Sequence, residues 1–278
     1  MVKILEKEVL NSDVSRMKLL APLISKKALP GQFIILRVDE TGERIPLTIF
    51  KSDEKSGTIE IIYQKIGVTT MKLDEKNAGD FIADVVGPLG KPSEIKGYKK
   101  AIVVFGGVGS AIGCPLAAGL KENGCKTEIV AGFRSKDIII LEDEMKSIDE
   151  NAVIVTDDGS NGKKALVTEP LEEKLSKMGG YDLVIAVGPI PMMRAVCNVT
   201  KKYGVKTIVS MNSIMIDGTG MCGGCRLKVG GKIKFACVDG PDFDGHLVDF
   251  AEISARNRTF SEKENEAKRK YCNLFKGV

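Results

Sequence analysis

Five strand-length apolar runs, separated by helix-length segments, occupy residues 99–211, and this alternation limits the fold more than any other feature of the chain. Ala101-Ile-Val-Val-Phe105 is apolar throughout, as a strand buried on both faces of a parallel sheet must be. Gly106-Gly-Val-Gly109 follows it and opens a helical stretch from Ser110 to Asn123. The unit recurs as Thr127 to Phe133 before a helix at Ile139 to Lys146, Ala152 to Thr156 before Leu166 to Met178, and Tyr181 to Val187 before Pro191 to Tyr203. Val205 to Met211 closes the series. The pattern predicts a doubly wound parallel sheet over residues 98–211.

Upstream, short runs at Met1 to Val9, Gly31 to Val38, Arg44 to Phe50, Thr58 to Lys65 and Asp80 to Val86 are broken by glycine and aspartate. They predict an antiparallel barrel or sandwich over residues 1–97. Two domains suit a chain of 278 residues. Residues 212–250 lose the alternation and become glycine-rich, and 251–278 form a charged helical tail in which Glu262 to Lys270 reads as a solvated face. A net charge of +4 spread along the chain gives no reason to expect nucleic acid as a partner. No apolar run approaches the roughly 18–20 residues of a membrane span, and the first residues lack a signal peptide's apolar stretch; a cytoplasmic protein is expected.

The chain has seven cysteines and one histidine, His246. The odd count argues against a disulfide framework, and one histidine leaves little room for triad catalysis. Cys222, Cys225 and Cys237 fall together across a hairpin expected at Arg226 to Gly230 and Lys232 to Ala236. A plant-type [2Fe-2S] loop places a cysteine five positions before the Cys-x2-Cys pair, and here that position is Asp217, whose carboxylate iron can accept. Zinc, with His246 as a fourth ligand, and buried structural cysteines are the alternatives.

Gly106 to Gly109 has the context of a dinucleotide phosphate loop, although Gly107-x-Gly109-x-x-x-Gly113 departs from the usual spacing. Gly188-Pro-Ile-Pro-Met-Met193 ends the fourth strand and should face the same crevice, where Met192 and Met193 read equally well as core residues. Asp157-Asp-Gly159 follows the third strand; a carboxylate there would accept from a ribose and repel a 2′-phosphate, favouring NAD, while a turn or helix cap is the plainer reading. Arg44-Ile-Pro-Leu-Thr48 joins a phosphate-binding guanidinium to a hydroxyl, and Gly67-Val-Thr-Thr70 offers amides and hydroxyls.

In order, Arg-x-Pro-Leu-Thr at 44–48, Gly-Pro-Leu-Gly at 87–90, Gly-Gly-Val-Gly at 106–109, Gly-Phe-Arg at 132–134, Thr-Asp-Asp-Gly-Ser at 156–160, Gly-Pro-x-Pro-Met-Met at 188–193 and the cysteine loop resemble ferredoxin-NADP reductase-like electron-transfer subunits. Two branches carry such a loop: the electron-transfer subunits of dihydroorotate dehydrogenase, and the small subunits of NADH-dependent reduced ferredoxin:NADP oxidoreductases, known also as sulfide dehydrogenase subunits. Asp217 to Cys225 with Phe235 to His246 is similar to the second, because the first normally has cysteine at the Asp217 position. One departure is that the family's glycine loop runs on to Ala-Pro, whereas Ala111 here precedes Ile112 and proline comes only at Pro115.

The resemblance implies FAD in the barrel, with Arg44 at its pyrophosphate, Thr48 near the flavin, Gly67, Thr69 and Thr70 at phosphate, and Pro46, Leu47 and Gln64 completing the contacts. It places NAD(H) across Gly107, Val108, Gly109, Arg134, Asp157, Asp158, Gly159, Gly188, Pro189 and Met192, and a [2Fe-2S] cluster on Asp217, Cys222, Cys225 and Cys237. It implies hydride exchange without an acid or base residue, and a larger FAD and [4Fe-4S] subunit as heterodimer partner in electron bifurcation, linked to ferredoxin and NADP(H). A dihydroorotate dehydrogenase subunit, a free-standing NAD(P)H reductase and a non-redox zinc module are the competing expectations.

Overall fold

The computed structural model describes residues 1–276. Its first strands are β1 (Val2–Val9) and β2 (Val14–Leu20), then after a short helix α1 (Pro22–Ser25) come β3 (Phe33–Arg37), β4 (Arg44–Asp53) and β5 (Thr58–Gln64). Helix α2 (Val68–Glu75) precedes β6 (Phe81–Ile82) and β7 (Asp84–Leu89). Pairing is antiparallel in the order β6-β1-β2-β5-β4-β3-β7. The two edges of this sheet are one piece of chain, because β6 pairs with β1, β7 pairs with β3, and only Ala83 separates them. The sheet therefore curls into a nearly closed antiparallel barrel, and closure protects its edges. Ile4, Met17, Leu19, Ile34, Leu36, Ile59, Ile61 and Tyr63 fill the inside.

The sequence pattern announces neither β2 nor α2. In β2 the charged Arg16 and Lys18 interrupt the apolar signal, yet both point outward to carboxylates, Arg16 Nε lying 2.8 Å from Glu60 and Lys18 Nζ 3.0 Å from Glu6. Helix α2 opens on Val-Thr-Thr, β-branched residues with poor helix propensity. Tertiary bonds hold it instead. Asp74 accepts from Ser15 at 2.6 Å and Tyr63 at 3.1 Å, with Lys65 at 3.3 Å and Lys7 at 3.5 Å. Burial alone would raise the Asp74 pKa, but the bonds from Ser15, Tyr63 and Lys65 and the Lys7 charge outweigh it and hold the carboxyl below its ordinary value.

A depressed carboxylate stabilises the fold above its unfolded pKa and ceases to do so as pH falls through the folded value. Asp74→Asn is accordingly expected to lose about 2 kcal/mol at pH 7, the order of a charged hydrogen bond. Urea unfolding at neutral and acid pH checks this, since wild type and variant should converge once Asp74 is protonated.

The second domain contains β8 (Lys100–Gly106), α3 (Ser110–Glu122), β9 (Lys126–Phe133), α4 (Glu142–Ile148), β10 (Val153–Thr156), α5 (Thr168–Met178), β11 (Leu183–Val187), α6 (Ile190–Lys202) and β12 (Thr207–Ser210). A hairpin, β13 (Arg226–Val229) and β14 (Lys232–Phe235), is followed by β15 (Asp242–Asp244) and two helices, α7 (Phe250–Asn257) and α8 (Ser261–Lys276). The sheet order is β10-β9-β8-β11-β12-β15, parallel except for β15, which returns antiparallel to β12. The strand order reverses between β8 and β11, so their carboxyl ends form the crevice where doubly wound sheets bind ligands.

Two buried clusters join these parts. Val14, Phe50 and Ile62 on the outside of the barrel pack with Cys114 and Ala117 of α3. Phe33 and Ile35 of β3 face the opposite way from the barrel interior and share a core with Met215, Cys225 and Cys237 of the cysteine loop. Ser93 donates its hydroxyl to Asp242, and Lys91 N donates to the Gly240 carbonyl at 2.7 Å, tying the segment after the barrel to β15.

Candidate functional site

At the crevice, β8 runs into a single tight turn, Gly107–Gly109, and then directly into α3, with Pro115 accommodated inside the helix. This gives the departure from the Ala-Pro pattern a definite path. The Gly188-Pro189 turn leads into α6 from the next strand. A Cβ on Gly109 would lie 2.6 Å from the Val187 carbonyl oxygen, so the two turns approach as closely as backbones can. Gly107 differs: its φ is +55° and a Cβ there would meet nothing within 4 Å, which leaves open space above a left-handed residue. Val108 and Met192 are half-buried beside these turns, whereas Met193 is wholly buried and belongs to the core.

Arg134 follows β9 and Asp157 follows β10, so they line the same carboxyl edge outward from β8. Asp157 N donates to Phe133 O at 2.9 Å and Asp158 N to Arg134 O at 3.2 Å, knitting the two strand ends together. The two carboxylates differ in their bonding. Asp158 accepts from the Ser160 hydroxyl at 2.7 Å and the Ser160 amide at 2.9 Å, which holds its pKa below the ordinary value. It builds the turn through Gly159, while the Asp157 carboxylate, equally exposed, accepts no such bond among the described residues.

The barrel presents the facing wall. Opposed residues on antiparallel strands share a face, and the register sets Arg44 against Arg37, Pro46 against Ile35 and Thr48 against Phe33. Arg44, Pro46 and Thr48 thus share the outer face of the barrel with Phe33 and Ile35. Leu47, of opposite parity, packs toward the interior. Gln64 ends β5, and the Gly107–Gly109 turn lies against that strand. Gly67 caps α2, but the Thr70 hydroxyl is occupied, accepting from Ile66 N and Gly67 N at 3.1 Å and donating to Gly67 O at 2.9 Å. Thr69 is buried. What remains for an anion at this end are the unpaired first-turn amides of α2.

The cysteine loop reaches the same barrel face. A Cβ on Gly218 would lie 2.6 Å from Leu89 and 3.0 Å from Ile35, so Asp217-Gly218 rests one strand away from Pro46 and Thr48. The Cys225 and Cys237 sulfurs are buried and 3.2 Å apart, far beyond the ~2.05 Å of a disulfide. Burial, and then the neighbouring Cys225 thiol, push the Cys237 thiol above its ordinary value, so a cation beside it would favour the thiolate. Backbone amides point at sulfur, Gly224 N at Cys222 Sγ (3.4 Å) and Cys237 N at Cys225 Sγ (3.5 Å).

Asp217 accepts from Thr219 N at 3.0 Å and Cys222 N at 2.7 Å; the Thr219 bond foremost, against some desolvation, holds its carboxyl below the usual range. Two amide bonds leave carboxylate lone pairs free. Among the described residues no three such side chains already stand as a closed ligand set, yet reduced buried thiols, amides aimed at sulfur and an ionised carboxylate in one loop fit an iron–sulfur cluster. His246 does not take part, because its Nε2 is 3.0 Å from the Thr200 hydroxyl on α6. Cys114 and Cys197 are buried thiols that burial pushes up to about 12, fit for packing rather than chemistry.

Comparison with known proteins agrees with this arrangement. The oxidoreductase FAD-binding domain family matches residues 1–93, and the iron-sulfur cluster binding domain of dihydroorotate dehydrogenase B matches residues 212–249. The Thermotoga maritima homolog of the dihydroorotate dehydrogenase B (NAD(+)) electron transfer subunit is 45% identical, over 94% of this chain and 92% of that protein. An uncharacterized protein of the adh 3′ region in Clostridium beijerinckii is 44% identical over 96% and 93%. A solved chain of the NADH-dependent reduced ferredoxin-NADP oxidoreductase, studied for flavin-based electron bifurcation, superposes with TM-score 0.92 at 42% identity, covering 98% of both chains. This chain is therefore a flavin iron–sulfur oxidoreductase subunit, and it belongs to the family of dihydroorotate dehydrogenase B electron transfer subunits and their homologues.

Proposed function

We propose that this subunit passes electrons between NAD(H) and a partner subunit through FAD and a [2Fe-2S] cluster. The observation that carries the reading is convergence: Gly218 rests on Ile35 and Leu89, one strand from Thr48, while the Gly107–Gly109 turn rests against β5 of the same barrel. When bound, FAD supplies the conversion between a two-electron hydride and the one-electron chemistry of an iron–sulfur cluster. The chain's residues bind and orient. Arg44 is a guanidinium engaged in no ion pair among the described residues and meets the flavin pyrophosphate, with Pro46 and Thr48 along the ring and the α2 amides at phosphate. The tight turn at Gly107 to Gly109 and the Gly188 to Met192 turn hold the dinucleotide, and Asp157 meets its ribose. Asp217, Cys222, Cys225 and Cys237 ligate the cluster.

The partner in this reading is a larger flavin and [4Fe-4S] subunit of an electron-bifurcating NADH, ferredoxin and NADP oxidoreductase. The likeness to that enzyme's chain over 98% of both lengths, with aspartate at the first ligand position, supports it. A dihydroorotate dehydrogenase complex is the second reading, favoured by the match of residues 212–249 to that enzyme's cluster domain. An anaerobic visible spectrum with flavin, iron and sulfide analysis tests the cofactors: a yellow-brown protein bleached by NADH is expected, and a colourless one rejects the reading. Purification with the native partner, assayed for ferredoxin-linked NADP reduction and for dihydroorotate oxidation, separates the two complexes.

A further inference from the structure

Arg256 sits in the last turn of α7, and its guanidinium turns toward the cysteine loop. Its Nη2 lies 3.5 Å from the carbonyl oxygen of Gly224, within the turn between Cys222 and Cys225. The next residue, Asn257, donates Nδ2 at 2.8 Å to the carbonyl of Asn212, where the loop leaves the sheet. The end of α7 therefore grips the loop at its root and at its ligand turn. Arg256 and Glu252, one helical turn apart, are each 26% exposed, with Arg256 Nε 3.8 Å from Glu252 Oε1. That separation is an ion-pair contact without a hydrogen bond. Arg256 Nε, Glu252 Oε2 and Ser213 Oγ are buried atoms lacking a hydrogen-bond partner among the described residues. Charge of both signs has thus been drawn inward beside the Cys222 to Cys225 turn, where a solvated helix face would have kept it in water at lower cost.

We propose that Arg256, opposed by Glu252, is a positioning residue that sets the reduction potential of the cluster held by the 217–237 loop; this rests on the cluster reading above. Reduction adds one negative charge to the ligand set, and a fixed cation in a partly desolvated site favours the reduced form. A carboxylate beside it works against reduction. The contact with Gly224 O also fixes the ligand turn, as outer groups orient ligands in other metal sites.

The test is a redox titration of the full chain, purified anaerobically and followed by electron paramagnetic resonance, with iron content and thermal midpoint measured in parallel. Arg256→Gln is expected to shift the reduction equilibrium about tenfold toward the oxidised form, about 59 mV more negative for one electron. Arg256→Lys should stay near wild type, and Glu252→Gln should shift the opposite way. Wild-type potentials in both neutral variants, with iron intact, overturn the proposal, as does a negative shift in Glu252→Gln. If Arg256→Gln purifies without iron, Glu252→Gln decides: a positive shift supports the proposal and an unchanged potential rejects it. A wild-type chain without iron or a paramagnetic signal fails at the functional reading, which is a different result from unchanged variants.

Discussion

Cys225→Ala is expected to purify with its flavin and with iron and acid-labile sulfide at background. The residue is 1% exposed and its sulfur is 3.2 Å from that of Cys237, so the substitution removes one of two buried donors and leaves the other facing a methyl group. A buried thiolate without a cation beside it is unfavourable, and the remaining donors, exposed Cys222 and half-buried Asp217, cannot replace it. Alanine is small and apolar, so the packing with Leu227 and Ala236 survives. The iron-to-flavin ratio reads the outcome directly, and full iron retention would remove Cys225 from the ligand set. Asp217→Cys is the companion: it should keep the cluster while changing its potential, because ligand type and net charge tune that potential. An unchanged titration in this variant counts against Asp217 as a ligand.

Gly109→Ala is expected to raise the Michaelis constant for NADH by about tenfold or more, equivalent to about 1.4 kcal/mol, with flavin content unchanged. The φ of Gly109 is −58°, which any residue adopts, so the effect comes from space alone. The new methyl would sit 2.6 Å from the Val187 carbonyl oxygen and 3.2 Å from Gly188 Cα, atoms of backbone that can move only by parting the two turns. Overpacking of this kind costs about 1–3 kcal/mol of stability as well. Gly107→Ala is the control. Its methyl would meet no protein atom, and within the chain only the left-handed backbone opposes it, at about 1 kcal/mol. Thermal midpoints compare the two: Gly109→Ala should lose more stability than Gly107→Ala, and equal losses would contradict the steric account.

The parallel sheet was legible in the sequence because its strands, such as Ala101 to Phe105, are buried on both faces and so apolar without interruption. The barrel was legible only in part. Strand β2 carries its apolar residues at Val14, Met17 and Leu19 with charges between, and Asp80 to Val86, which reads as one strand, divides at Ala83 to serve both edges of the barrel. Strand β15 is Asp-Phe-Asp and has no strand signal of its own; pairing with β12 makes it one. At the candidate site, spacing picked out the cysteine loop and the glycine turns, which the structure builds as a loop and a tight turn at the strand end. Arg256 did not, because an arginine four residues after a glutamate on a helix looks like any solvated pair until the fold brings Gly224 beneath it. The different bonding of Asp157 and Asp158 was equally hidden, since only the Ser160 contacts tell them apart.

The cysteine loop begins and ends at one place. Met211 N donates to Pro241 O at 2.9 Å, and β12 and β15 pair immediately beyond, so Asn212 to Gly240 is an excursion from an edge that is already zipped shut. Segments anchored in this way can open as local units without unfolding the sheet that carries them. Amide exchange in the excursion should therefore run ahead of exchange in β8 and β11. The same closure means that a cluster would be held by a loop whose two ends the sheet already keeps in register.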